Sequence, residues 1–154
     1  MLVDELGRQF RMGVYGLALS EGAVLLARIG PGDVEVGAWT LPGGGLDWGE
    51  HPVVGLEREF VEETGLEPTV LRPLGIHSFV VQSAQKSQAA PDIHVTQAVY
   101  LVKARGDPVN EVDGSTDEAR WWPLDRLGEI RLVELVEVAF GWLNSPPVPP
   151  PPDG

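Results

Sequence analysis

Residues 43–66 read GGGLDWGEHPVVGLEREFVEETGL, and the rest of the chain is arranged around them. Three glycines, Gly43, Gly44 and Gly45, open the stretch, and Glu50 follows. Pro52 suits the first position of a helix, where its missing N–H costs nothing. Gly65 suits the position just past a helix end, where a left-handed residue is wanted. Between them lie about three and a half helical turns. At about 100° per residue, Glu59, Glu62 and Glu63 fall on one face, with Gly55 one turn earlier, where a bulky side chain would crowd anything bound. Val53 and Phe60 point one way, and Val54 and Val61 another; both sets are expected to pack into a core. Arg58 lies at the edge of the acidic face. One guanidinium cannot neutralise three carboxylates that repel one another. A hard divalent cation can, and clustered carboxylate oxygens suit Mg²⁺ or Mn²⁺. An acidic helix face is more often simply solvated, so the surrounding spacing has to decide between these readings.

That spacing is specific. Gly44, five residues, Glu50, seven residues and then Arg58-Glu59-Phe60-Val61-Glu62-Glu63-Thr64-Gly65-Leu66 resembles the signature box of the Nudix hydrolases (MutT-like) at every specified position. The resemblance implies an α/β fold, an α/β/α sandwich with a mixed β-sheet in which the box forms a loop–helix–loop. It implies an enzyme that hydrolyses the pyrophosphate bond of a nucleoside diphosphate linked to another group, such as a nucleoside triphosphate or nucleotide sugar, by water attack at phosphorus. It also implies a role for each matching residue. Glu59, Glu62 and Glu63 become metal ligands, joined by the backbone carbonyl near Gly43 or Gly44. Arg58 orients a carboxylate, and Glu50 holds a second metal through water or braces the loop. The general base is a box glutamate or an acid from a later loop: Glu111, Asp117 or Glu118. The expected catalytic set is Glu50, Arg58, Glu62, Glu63 and Glu118. A catalytically silent nucleotide-binding sensor is the alternative, against which the intact box speaks. One departure is His51, where the family usually has a better capping residue, so the helix start is expected to fray. The window Val81-Gln82-Ser83-Ala84 lacks the proline or tyrosine that marks some subfamilies, which leaves the nucleotide and its attached group open.

The 154 residues suffice for one domain, here placed at 10–144 between a short lead (1–9) and a proline-rich tail (145–154). With no cysteine, disulfides, thiolate catalysis and cysteine-bound zinc are excluded. A net charge of −12 argues against duplex nucleic acid as a partner, but not against a small phosphate ester, because a bound metal reverses the local field. The start lacks a signal-peptide pattern and no apolar run reaches membrane-spanning length, so a cytoplasmic protein off the membrane is expected. Monomer and homodimer are equally open.

Along the chain, Met12 to Ala27 reads as a hairpin turning at Ser20-Glu21-Gly22, its second strand apolar on both faces. Ala38 to Pro42 is a short extended run in which Trp39 is expected to pack. Thr69 to Gln82 reads as one strand or two. Ser83 to Asp92 reads as a mobile loop and as the place to look for selectivity. Ile93 to Val102 reads as a strand, with His77 and His94 as structural histidines. Glu118 to Leu127 reads as a closing strand and turn, and Leu132 to Leu143 as a helix.

Overall fold

The computed structural model describes residues 2–82, 91–111 and 114–145. Most of the expected selectivity loop (83–90) and nearly all of the proline-rich tail (146–154) lie outside the described residues. Among the described residues, eight strands and two α-helices follow in the order β1 (Leu2–Val3), β2 (Gln9–Ser20), β3 (Ala23–Ile29), β4 (Trp39–Thr40), β5 (Gly43–Gly45), α1 (Pro52–Thr64), β6 (Thr69–Val81), β7 (Ile93–Lys103), β8 (Thr116–Pro123) and α2 (Glu134–Asn144), with a 3₁₀ helix at Leu124–Glu129. No helix among the described residues is long and apolar enough to cross a membrane.

The sheet is mixed. Strands run in the order β4-β3-β2-β7-β6, while β1 and β5 add to β2 and β8 adds to β3. Among the described strands β2 and β7 pair in parallel and the other strand pairings are antiparallel. The expected β2–β3 hairpin forms, with φ of 50° at Glu21 and 74° at Gly22. Both turn residues are left-handed, as the right-handed twist of a two-residue hairpin demands.

Alternation along β2 and β7 divides the core into two layers. Val14, Ala18, Ala98 and Val102 meet Leu56 and Phe60 of α1. Leu17 and Val99, one residue out of phase, meet Leu135, Val136 and Ala139 of α2. A sheet covered on both faces by helices is the three-layered sandwich the resemblance implied. It explains why β3 is apolar from Ala23 to Ala27: Leu25 joins the α1 layer, while Val24 and Leu26 join the α2 layer. Trp39 is buried and meets Trp122 edge-on at 5.3 Å, which is the packing role expected of it.

Four expectations need correction. The loop before the box helix starts after the glycines: Gly43–Gly45 is strand β5, paired with Val14 and its neighbours on β2. Val54 is exposed, so α1 buries one stripe, Leu56 and Phe60, rather than two. The last helix begins at Glu134 instead of Leu132, because Trp39 donates to the Arg131 carbonyl and accepts from the Val133 N–H, holding that segment extended. His51 does cap α1: its Nδ1 accepts from the Val53 N–H at 3.2 Å. The ring nitrogen stands in for the usual cap oxygen, so His51→Ala should lower stability by about 1 kcal/mol. Urea denaturation of the two proteins checks this, and equal midpoints would show the cap idle.

Candidate active site

The box helix is anchored at both ends. At its C-terminus Gly65 takes φ 72° and donates to the Val61 carbonyl. Thr64, fully buried, donates through Oγ1 to the Phe60 carbonyl and accepts from the Leu66 N–H. Gly55 lies under the loop that precedes the helix. A Cβ there would lie 2.3 Å from Leu46 Cδ2 and 2.8 Å from Glu50 Oε1. The loop before the helix is therefore seated directly on its first turn.

Arg58 organises the acidic cluster. Its Nε and Nη2 reach the two carboxylate oxygens of Glu50 at 2.8 and 2.9 Å, a bidentate pair. Nη1 donates to Glu59 at 2.9 Å and lies 3.4 Å from Glu62, while Nη2 also donates to the Gly45 carbonyl. The Arg58 hydrogen bonds, with one from the Asp47 N–H, hold the Glu50 carboxyl down at about 2. Glu50 is thus a brace tying loop to helix.

Glu59 and Glu63 are different. Glu63 is only 3% exposed. It accepts from the Gly43 N–H at 3.0 Å and faces the Ser115 hydroxyl at 3.5 Å. Burial pushes its carboxyl up to about 8 against the pull of the Gly43 hydrogen bond, and the charges of Glu111 and Glu59 add to the rise. Burial also raises Glu59, with Glu62 and Glu111 contributing and Arg58 opposing. The Glu59 carboxylate lies against Gly44, where a Cβ would sit 2.6 Å from Oε2.

The three acids expected to crowd together are therefore a pair plus an outlier. Glu62 is turned toward Arg58 and solvent, its side chain 49% exposed. Among the described residues no three acidic or histidine side chains converge on one point. The donors that are present still suit a hard divalent cation: two carboxyl groups, both raised by burial and by the charge of neighbouring acids, beside the glycine backbone.

Of the later acids, Glu111 is the one whose charge bears on Glu59 and Glu63. It accepts from the Thr116 hydroxyl at 2.9 Å. Glu118, expected in the catalytic set, is instead engaged by Arg28 and Arg120, and Asp117 by Arg28. Tyr15 had no place in the sequence reading. Its buried hydroxyl titrates high, chiefly through burial, and it lies within reach of the charges of Glu63 and Glu59. The alternation of β2 was visible in the sequence, but not which face the carboxylates would share.

A family model for the NUDIX domain matches residues 7–141. A crystal structure of a MutT NUDIX hydrolase from Burkholderia pseudomallei superposes with a TM-score of 0.73 at 26% identity, covering 88% of this chain and 99% of that one. A MutT protein from Methanosarcina mazei gives 0.70 at 25% identity, covering 87% and 92%. The Mycobacterium tuberculosis protein designated MutT4 is 29% identical over 85% of this chain. An RNA pyrophosphohydrolase of Zymomonas mobilis is 36% identical over 41% of it. The chain spans 61% and 40% of the lengths of these two curated relatives.

Proposed function

Because the chain belongs to the NUDIX family, we propose that it hydrolyses the pyrophosphate bond of a nucleoside diphosphate linked to a further group, with the help of Mg²⁺ or Mn²⁺. The observation that carries this reading is the buried Glu63 with the half-buried Glu59 beside Gly43 and Gly44, in an acidic cluster that the Arg58 guanidinium serves. Members of the family hydrolyse nucleoside diphosphate derivatives and generally use divalent ions.

Glu59, Glu63 and the Gly44 carbonyl would hold the cation, with Glu62 at its outer side. When bound, such an ion neutralises phosphate oxygens and lowers the pKa of a water. Arg58 fixes Glu59 and Glu50, which keeps the ligands on a rigid mount. That matters because displacement by about 1 Å costs on the order of a hundredfold in rate. Glu111 is the later acid best placed to take a proton from the attacking water, since Glu118 is committed to two arginines.

The test is phosphate release across nucleoside triphosphates, nucleotide sugars and 5′-triphosphorylated RNA, with Mg²⁺, Mn²⁺ or chelator, alongside thermal unfolding. Turnover is expected only with metal. Saturating metal should also raise stability, by about 2.7 kcal/mol at a hundredfold excess over Kd. Undiminished turnover in chelator would exclude the metal-dependent mechanism. Metal-dependent stabilisation and nucleotide binding without turnover on any substrate would identify a sensor instead.

A further inference from the structure

β6 is an open edge of the sheet: among the described strands it pairs with β7 alone. An unpaired edge invites another strand, and folded proteins guard it with proline, charge and bulges. The first half of β6 carries all three, in Pro73, Arg72 and the register shifts between Val70 and Arg72 and between Pro73 and Gly75. The second half carries none of them. From Ile76 to Val81 the register with β7 is unbroken, and the letters IHSFVV include no Asp, Glu, Lys, Arg or Pro. Ile76 is 66% exposed and Val80 56%. Ile76 belongs to the α1 face through Ala98, its partner on β7, and Ser78 and Val80 follow it by alternation. On the α2 face Phe79 is 38% exposed, and Glu134 reaches His77 at 3.5 Å.

Two observations say what this edge fits. The first is charge. The chain has 23 acidic residues against 11 basic ones, so two copies repel one another over most approaches. The 13 residues of β6 include Arg72 and no acid. The second is self-complementarity. A two-fold axis normal to the sheet joins two β6 edges antiparallel and keeps each face on its own side, so paired residues share a face. With the axis at Ser78, Ile76 meets the partner's Val80 on the α1 face, and His77 meets the partner's Phe79 on the α2 face. Each exposed apolar side chain from Ile76 to Val80 thereby gains an apolar or aromatic neighbour, and no Asp, Glu, Lys or Arg of the segment enters the seam.

We propose that the Ile76–Val81 edge pairs with the same edge of a second copy, making a dimer whose sheet runs from one chain into the other. Backbone hydrogen bonds supply the pairing, and the Ile76 and Val80 contacts fix the register. Such a dimer forms or fails irrespective of any catalysis at Glu59 and Glu63.

Sedimentation equilibrium of the full chain across the micromolar range is expected to show a reversible monomer–dimer equilibrium. Lysine is a residue by which natural edges refuse a partner, and the axis makes every substitution act twice. Val80→Lys should therefore weaken the dimer about a hundredfold. Val34→Lys, at a similarly exposed position between β3 and β4, should leave it unchanged. Because the chain has no cysteine, Ser78→Cys places a single thiol on the axis, where paired Cα atoms about 5 Å apart allow a disulfide. Oxidation with diamide should link two copies of Ser78→Cys and leave Val34→Cys unlinked. A native protein that stays monomeric throughout, a Val80→Lys dimer as tight as the native one, or Ser78→Cys copies that do not link would each overturn the proposal. So would growth beyond the dimer, which an isologous contact does not produce. If Val80→Lys fails to fold, Ser78→Cys decides alone, since it alters one atom of an exposed side chain.

Discussion

Glu63→Gln is expected to keep its fold and lose about a hundredfold or more in kcat, which corresponds to about 3 kcal/mol of barrier. The two halves of that expectation have separate physical origins. In the cation-free protein the Glu63 carboxyl is buried and raised to about 8, so its charged form is the disfavoured one. A neutral amide of the same shape still accepts from the Gly43 N–H, and the thermal midpoint without metal should not fall. What the amide cannot do is bring negative charge to a divalent cation. The midpoint gained on adding Mg²⁺ should therefore shrink together with kcat. Parent-rate turnover by the purified variant would remove Glu63 from the site, whatever its stability.

Gly43→Ala is expected to be the most destabilising of the glycine substitutions in the box, by about 3 kcal/mol or more. Gly43 has φ 154°, and a Cβ there would lie 2.1 Å from the Val14 carbonyl oxygen and 2.7 Å from Tyr15 Cα. Those contacts are backbone atoms, so relief requires β5 to leave β2 and the Gly43 N–H to leave Glu63. Its neighbours should behave differently. Gly44→Ala meets the Glu59 carboxylate at 2.6 Å, a side chain that can swing away, so activity should suffer more than stability. Gly45→Ala meets nothing within 4 Å and should change stability by less than about 0.5 kcal/mol. Urea midpoints for the three variants check the order, and a Gly45 variant as unstable as the Gly43 one would contradict the strand assignment.

These glycines show where sequence reasoning stopped. Three identical letters in a row carry no record of which one faces a strand, which a carboxylate and which solvent. That distinction belongs to the antiparallel register with Val14, a contact made across some thirty positions of chain. His51 was misjudged for a similar reason. Cap preferences average over rotamers, and here one rotamer points Nδ1 at the Val53 N–H. Nor do the letters record that β8 pairs with β3 and sets Glu118 opposite Arg28.

The sequence by itself determined the box helix, its two ends, the acids along one side of it and the arginine among them. All of these are local: a proline, a glycine and a periodicity of about 3.6 residues act within a few turns. It also determined that residues 23–27 are sandwiched, since a run apolar on both faces marks a strand covered on both sides. The tertiary structure alone decided which acids are buried together, because burial of Glu63 depends on β5 closing over it. It also set the buried Gln97 in one row with Gly13 and Gly45, through pairings between strands far apart in the chain. Side-chain charge is written in the residue, but its energy is set by what else is brought near it, and in this fold those neighbours arrive from distant parts of the chain.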